Sequence, residues 1–440
     1  MSTTADDPTV DDETADDPTD DDSAVADPSE SQTRAAGAPL RVLALEPFYG
    51  GSHRQLLDQW TERSRHRFTV LGLPASHWKW RMRQSAPDLA RQVAGRVDRG
   101  ERWDVVFCSD MLDLAAFRGL APPAVRALPA VLYFHENQLT YPVQREDERD
   151  LHFALTNLVS ALAASECWFN SHYHRRSFLE ALPRLLRRMP DRRLDFAPKV
   201  VEERSRVEWP GVESPLGSVA EGGRPRPPRA RGAALHLVWA ARWEHDKGPE
   251  LLFDALERVE ARLPLRVSIV GQSFSEVPAV FAGVRERLGE RLGELGHLPR
   301  ERYLELLRSA DVFVSTARHE FFGLAAVEAV LAGARPLLPD RLSYPELLDA
   351  GGAGPAQPHA FLWRGGAADL AKRIEELARG EERLPGGSLE ALVEAFRVFE
   401  WSRRLPELDE GLERVARGAG SMDPAARRSR SRTADAEASG

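Results

Sequence analysis

The chain has 440 residues, 42 % of them hydrophobic and 29 % charged, with a formal charge of −9. That length is too great for one core and predicts about two soluble globular domains. There is no apolar run of about 18 residues to span a membrane and no basic-then-apolar secretory leader. The only two cysteines, Cys108 and Cys167, lack metal-type spacing, so a cytoplasmic protein with two buried, reduced thiols is expected.

Residues 1–36 read as a disordered acidic leader of Asp, Pro and Thr, too polar to offset the entropy of ordering. Its first 33 residues hold twelve acids and no Lys or Arg, so without them the formal charge turns from −9 to +3. The remainder is mildly basic, which permits a nucleotide or nucleic-acid partner. Residues 37–212 alternate strand and helix signals. Strands are predicted at Val42–Leu45, Phe68–Leu71, Val105–Cys108, Ala130–Phe134 and Cys167–Phe169. The clearest helix is Glu148–Ala164, with Leu151, Leu155, Leu158 and Leu162 on one face. Residues 213–232, ending in PRPPRARG, read as a linker or inserted loop. The pattern resumes over 233–385, with strands at Leu235–Trp239, Val267–Val270, Val312–Ser315 and Pro336–Leu338. Helices are predicted there at Pro249–Leu263, Arg300–Ser309, Gly323–Ala332 and Ala367–Leu377. Residues 386–417 read as a C-terminal helical segment, and 418–440 as a loose tail carrying Arg427, Arg428, Arg430 and Arg432. The fold class is therefore α/β, two doubly wound parallel sheets facing each other across a cleft.

Polar clusters stand at strand carboxyl ends, where such sheets bind ligands. After Val312–Ser315 comes a loop with Glu320, then Phe322, Gly323 and Leu324 opening a helix that carries Glu328. The free N–H groups of that helix start suit a diphosphate. After Leu235–Trp239 come Arg242 and Lys247, cations able to hold a pyrophosphate, with Pro249 at a helix start. Gly271 and Gly296-His297-Leu298-Pro299 mark two further edge turns that could hold a nucleobase. In the first block, Gly50 and Gly51 precede a helix for which Ser52 is a plausible N-cap. His135, Glu136, Asn137, Gln138 and Tyr141 follow the strand Ala130–Phe134, and Asn170-Ser171-His172 end another strand. Trp78, Lys79, Trp80, Arg81 and Arg83 interleave aromatics with cations, as nucleic-acid surfaces do. The arginines between Tyr173 and Leu194 read as a solvated helix face.

The C-terminal half resembles family-4-type retaining glycosyltransferases of GT-B fold through Arg242, Lys247, Glu320 and Glu328. More specifically, EPFYGGSHRQL, HWKWRMRQSA, YFHENQLTYPV, RWEHDKGPE, TARHEFFGLAAVEAV and YPEL resemble the tRNA-queuosine mannosyltransferase family. The resemblance implies transfer of mannose from GDP-mannose to queuosine in a tRNA anticodon, with retained α configuration. It implies catalytic roles for His135, Glu320, Arg242 and Lys247. Donor contacts would fall to Gly50, Gly51, Ser52, Gly271, Phe322, Gly323, Leu324 and Glu328. The acceptor would meet Trp78, Lys79, Trp80, Arg81, Arg83, Glu136, Asn137, Gln138 and Tyr141. No Asp-x-Asp motif stands among these groups, so no metal and no cofactor beyond the nucleotide sugar are expected. No membrane partner is expected. The residues also admit the same fold acting on a small-molecule, lipid or glycan acceptor, a nucleotide-sugar hydrolase or epimerase, or a tRNA-binding protein without catalysis.

Overall fold

A computed structural model describes residues 38–141, 150–215, 229–230, 232–273, 277–350, 360–381 and 389–420. The whole leader, residues 216–228 and 231 of the expected linker, the tail from 421 and the predicted helix start at Glu148 lie outside them. Among the described residues, twelve strands form two six-stranded sheets in which neighbouring strands run parallel.

The first sheet contains β1 (Arg41–Tyr49), β2 (Arg67–Pro74), β3 (Val105–Ser109), β4 (Ala130–Phe134), β5 (Glu166–Phe169) and β6 (Ser205–Val207) in the order β2-β1-β3-β4-β5-β6. Its central strands β3 and β4 are buried along their whole length, as strands covered on both faces must be. The second sheet contains β7 (Leu235–Ala240), β8 (Leu265–Val270), β9 (Leu292–Gly296), β10 (Val312–Val314), β11 (Arg335–Pro339) and β12 (Leu362–Trp363) in the order β12-β11-β10-β7-β8-β9. All nine predicted strands are present. β6, β9 and β12 are additional: they read SRV, LGELG and LW, too short or too glycine-rich to give an apolar run.

In each sheet the chain winds outward in one direction and then in the other. The reversals fall between β1 and β3 and between β7 and β10. Side chains cannot fill the crevice where two crossover helices diverge, so these are the points at which such sheets accept ligands.

Two helices depart from expectation. The helix predicted over Pro249–Leu263 ends at Arg258, where Val259 turns extended (ψ 131°) and buries its β-branched side chain. The C-terminal segment does not stand apart, because the helix Trp401–Gly420 returns to the first sheet. Its Trp401, Leu408, Leu412 and Val415 join Val42, Trp60 and Trp168 in one buried cluster. Asp409 is the polar anchor, accepting from Trp60 Nε1 at 2.8 Å, Ser64 Oγ at 2.7 Å and the Arg65 backbone N–H at 3.1 Å. The two chain crossings between the sheets run side by side, with the Val212 N–H donating to Phe399 O at 2.8 Å and the Trp401 N–H to Val212 O at 3.2 Å.

Candidate active site between the two sheets

The loops after β7 and β10 flank the reversal of the second sheet and are fastened to each other. The backbone N–H groups of Arg318 and His319 donate to Asp246 O at 2.8 and 3.1 Å. Thr316 Oγ1 donates to Lys247 O at 2.9 Å and accepts from Trp239 Nε1 at 3.0 Å. This fastening brings Lys247 and Glu320 together from sequence positions 73 apart. Lys247 is buried, with its Nζ 3.0 Å from His319 O, 3.1 Å from Asp246 Oδ2 and 3.4 Å from Glu320 Oε2. Burial alone would lower its pKa, but the two carboxylates more than offset that and raise it, so it is a fixed cation. A crevice lined by Lys247, Glu320 and Gly323 opens beside it.

Gly323 caps the helix Leu324–Leu331 at φ 97°. A Cβ there would stand 3.1 Å from Tyr344 Cε1 in a conformation L-residues avoid, so the glycine aims the helix start at the crevice. Phe322 is buried under the same turn and Leu324 is half-buried. Glu328, on the next turn, is buried. Its carboxylate accepts from Arg300 at 2.7 Å, Tyr303 Oη at 3.0 Å and, from the first-sheet side, Gln55 Nε2 at 3.4 Å. Gly271 (φ 154°) brings the end of β8 against the Ala241 carbonyl, 1.7 Å from where a Cβ would lie. Its N–H donates to Gly296 O at 3.1 Å, so the two edge turns predicted to be alike adjoin.

Across the cleft, β4 delivers His135. Its backbone N–H donates to Asp110 Oδ1 at 2.8 Å, and its ring stacks on His53 at 3.8 Å between centroids, 21° from parallel. Burial, and then the charge of His53, hold its pKa well below the usual histidine value, so it is neutral. Its Nε2 is buried without a partner. Gln138 Nε2 donates to Glu136 Oε1 at 3.0 Å. Arg242 Nη2 donates to Tyr141 Oη at 3.4 Å, and its Nε lies 3.3 Å from Glu244. The Arg242–Tyr141 bond joins the β7 loop to the β4 loop, so the predicted donor and acceptor clusters meet.

Three expectations change in detail. Ser52 does not cap its helix: left-handed Gly51 (φ 53°) starts the helix one residue earlier, leaving Gly50 as N-cap and Ser52 exposed in the first turn. Asn137 is fully buried, and its Oδ1 accepts from the Leu139 and Thr140 N–H groups at 3.1 and 2.8 Å. The oxygen therefore shapes the turn, and only the amide Nδ2, buried without a partner, is left for another group. Asn170 and Ser171 do reach the cleft, but as scaffold. Asn170 Nδ2 donates to His135 O at 2.9 Å, Ser171 Oγ donates to Phe321 O, and Glu346 of YPEL accepts the His172 and Tyr173 N–H groups at 2.8 Å each.

The aromatic-cationic run occupies the first turns of the helix Trp78–Asp98. Trp80 is 62 % exposed and Trp78 37 % exposed, while Arg81 Nε donates to Pro74 O at 3.0 Å. Lys79 Nζ lies 5.7 Å from the Trp78 ring and Arg83 4.7 Å from Phe153. Trp78 also packs on Phe153, which clusters with Met82, Met111 and Phe48. Phe48 stands at the carboxyl-terminal end of β1 and Met111 in the loop after β3, so the patch is continuous with the rim of the cleft. The arginines at 184, 187, 188, 192 and 193 are exposed, as a solvated face requires.

Several groups escaped the sequence reading: Glu46, His53, Asp110, Asp246, His319, Arg300, Tyr303 and Gln55. Glu46 lies in the carboxyl-terminal part of β1, His53 in the first turn of the helix that follows it, and Asp110 directly after β3, so position at a carboxyl end was the usable signal. Glu46, His53 and His135 each place one metal-ligand-type atom within 4.8 Å of the others. Imidazole lone pairs lie in the ring plane, however. Two nearly parallel rings 3.8 Å apart share no in-plane point at the ~2.0 Å bond length of a zinc–histidine contact. The geometry fits a metal poorly and an ion pair under a neutral ring well.

Comparison with known proteins agrees with this layout. Residues 41–212 match the family described as tRNA-queuosine alpha-mannosyltransferase N-terminal, and residues 230–385 match glycosyl transferases group 1. The tRNA-queuosine alpha-mannosyltransferase of Drosophila melanogaster is 38 % identical over 317 residues, 70 % of this chain and 81 % of that protein. The GDP-mannose:cellobiosyl-diphosphopolyprenol alpha-mannosyltransferase of Xanthomonas campestris is 32 % identical over 131 residues, 28 % of this chain and 34 % of that protein. Among solved structures, Anabaena HepE with UDP and glucose superposes with a TM-score of 0.58 at 18 % identity, covering 85 % of this chain and 99 % of that one. Sucrose-phosphate synthase from Thermosynechococcus elongatus gives 0.60 at 14 % identity, covering 86 % and 99 %. At these identities the structural likeness concerns the fold, the predicted GT-B arrangement.

Proposed function

Because the chain belongs to the tRNA-queuosine alpha-mannosyltransferase family and is a glycosyltransferase of GT-B fold, we propose that it moves mannose from GDP-mannose to the cyclopentenediol of queuosine in a tRNA anticodon, retaining the α configuration. The observation that carries this reading is the meeting of a cationic, carboxylate-bearing cluster at the β7/β10 reversal with the His135–Tyr141 loop opposite, Arg242 contacting Tyr141. Support for the sugar and nucleotide comes from the Xanthomonas relative, whose name specifies GDP-mannose.

In this reading Arg242, Lys247 and the N–H groups at Phe322–Leu324 take the charge of the leaving diphosphate. Such preorganised donors act where negative charge develops. Glu320 binds hexose hydroxyls, Glu328 the ribose, and Gly50, Gly51 and Ser52 border the phosphates. Gly271 lets the nucleobase approach the backbone. The acceptor hydroxyl attacks the mannose anomeric carbon from the face the diphosphate leaves. The carbon–oxygen bond to phosphate breaks, and the hydroxyl proton passes to the departing phosphate oxygen. His135 lies beside the reacting sugar. Because protein groups carry the leaving-group charge, activity is expected to persist in EDTA.

Trp78, Lys79, Trp80, Arg81 and Arg83 give the tRNA a stacking and phosphate-binding surface, and Glu136, Gln138 and Tyr141 face the modified base. No helix among the described residues is long and apolar enough to cross a membrane. The test is incubation with GDP-mannose and queuosine-containing tRNA, followed by nucleoside mass spectrometry. One added hexose on queuosine is the expected result. Transfer only to a lipid-linked or free glycan acceptor overturns the acceptor assignment, and transfer only from a uridine donor overturns the donor.

A further inference from the structure

Beneath His135 lies a buried charge pair that the proposed chemistry does not use. Glu46, at the end of β1, is fully buried. One carboxylate oxygen accepts from Ser109 Oγ and from the Phe48 N–H, both at 2.9 Å. Its other oxygen, Oε2, is left facing His53 Nδ1 at 3.2 Å, close but out of line for a hydrogen bond. His53 comes from the first helix, is buried, and lies flat under the His135 ring. We infer that Glu46 and His53 are positioning residues for His135: an imidazolium clamped by a carboxylate supports the His135 ring and keeps that ring neutral, with Nε2 free for a sugar or acceptor hydroxyl.

Three features of the geometry require a cation at His53. A buried carboxylate with one oxygen spare needs a positive partner. An imidazolium stacked on a neutral ring is attractive. Two imidazolium rings at that distance would repel, so only one of the stacked pair is charged. The surroundings decide which. His53 faces Glu46 from β1, Asp110 from the loop after β3 and Glu136 from the loop after β4. Burial alone would depress its pKa, but these carboxylates take it to about 9. His135 faces His53, His174 from the helix His172–Arg187 and the Tyr133 ring. It touches Asp110 through its backbone N–H.

The inference rests on the reading of His135 as a neighbour of the reacting sugar, and its test separates the two. His53→Gln and Glu46→Gln are prepared in the full chain with nitrogen-labelled histidine, and imidazole tautomers are followed by NMR against pH. In the unsubstituted protein, His53 is expected to stay doubly protonated to about pH 8 while His135 is neutral at pH 7. In Glu46→Gln the His53 titration falls by at least about one unit. In His53→Gln the acid limb of transfer moves up by about one pH unit, so kcat measured on that limb drops about tenfold, with donor KM changed less than about twofold. If either variant fails to fold, the other still reports. An unmoved acid limb in a folded His53→Gln enzyme overturns the inference, as does a neutral His53 at pH 7. Stoichiometric zinc binding that is lost in His53→Gln overturns it in favour of a metal site. A protein that transfers nothing, yet shows the charged His53 and neutral His135, refutes the proposed reaction and leaves the charge pair standing.

Discussion

Replacing Lys247 by methionine keeps the aliphatic stem and removes the charge, and the structure sets what that should cost. Its Nζ holds Asp246 at 3.1 Å and Glu320 at 3.4 Å, with His319 O at 3.0 Å. At an effective dielectric of about 20, each charge contact is worth about 5 kcal/mol gross, most of it offset by the desolvation of burying the groups. The asymmetry lies in what remains. Asp246 is 9 % exposed at its side chain and would be left as a buried, unpaired carboxylate, whereas Glu320 is 28 % exposed and can regain water. Breaking a buried pair costs about 3–5 kcal/mol; with one partner rehydrated, the low end, about 3 kcal/mol, is expected. Urea unfolding followed by tryptophan fluorescence measures it. Adding Asp246→Asn, which removes the stranded carboxylate, should return part of the loss, about 1 kcal/mol of coupling for groups in contact. Under conditions where Lys247→Met is folded, single-turnover transfer should fall about 10²- to 10³-fold, because a preorganised cation at the leaving diphosphate is gone. Stability within ~0.5 kcal/mol of the unsubstituted protein would refute the buried-charge argument. A folded variant transferring at the original rate would refute the diphosphate assignment.

Other outcomes follow from the same geometry. Glu328→Gln should weaken GDP binding about tenfold by calorimetry, since a charge-assisted acceptor for ribose hydroxyls becomes a neutral one; unchanged affinity would remove Glu328 from the donor site. Gly271→Ala should lower the melting temperature sharply, because a Cβ would meet the Ala241 carbonyl at 1.7 Å with φ at 154°; an unshifted melt contradicts that backbone approach. Trp80→Ala should weaken tRNA binding by about 1–3 kcal/mol at fixed salt, the worth of one stacked base, and leave GDP affinity unchanged. Buried His135, His174 and His319 are held neutral, their pKa values depressed chiefly by burial, His319 to about 4. The unfolded chain protonates them near 6.5 and the folded chain does not, so their stabilisation is complete above about 6.5 and lost as pH falls. The His319 share is about 3 kcal/mol, lost by about pH 4. His53, raised to about 9, contributes oppositely: fully below about 6.5 and less as pH rises toward 9. The urea midpoint should therefore peak near neutrality, and a flat profile between pH 4 and 6.5 would contradict the burial of these rings.

The fold was legible because parallel strands covered on both faces leave unbroken apolar runs, and because helices between them keep their period. Val105–Ser109 and Ala130–Phe134 could hardly be anything else. What periodicity could not convey was partnership. Leu405, Leu408, Leu412 and Val415 announce an amphipathic helix, but nothing in their spacing says that it returns to Trp168 and to Trp60, which bonds Asp409 from 349 residues earlier in sequence. The candidate site followed the same rule. Glu320, Arg242, Lys247 and His135 were visible because each follows a strand, whereas the His53–His135 stack depends on how the first helix leaves β1. Asn137 stands in the same polar cluster at a strand end, but nothing in the sequence says that its Oδ1 is taken up by its own turn.

The contacts that close the cleft differ in kind from those that join its two halves. Deeper in the cleft, Ser171 Oγ donates to Phe321 O and the buried His174 ring stacks on Phe321 at 3.7 Å. Gln55 to Glu328, Arg242 to Tyr141 and Glu346 to the His172 and Tyr173 N–H groups are polar contacts nearer the surface, and water can replace each of these with little net loss, since an exchanged hydrogen bond is worth only about 1 kcal/mol. At the paired crossings the chemistry is apolar. Val212 and Phe399 are fully buried, Trp401 lies against Gly211 so closely that a Cβ would overlap its ring, and Trp60 and Leu412 extend the same packing. Separating those groups would expose large side chains worth about 1.5–3 kcal/mol each. Opening of the cleft should therefore pivot on residues 211–212 and 399–401, breaking the polar contacts first. Gln55 and Tyr141 would then leave Glu328 and Arg242, the groups assigned to ribose and diphosphate. The open state would present those two side chains to an incoming nucleotide sugar without their cross-cleft partners, so closure and donor binding would compete for the same hydrogen bonds.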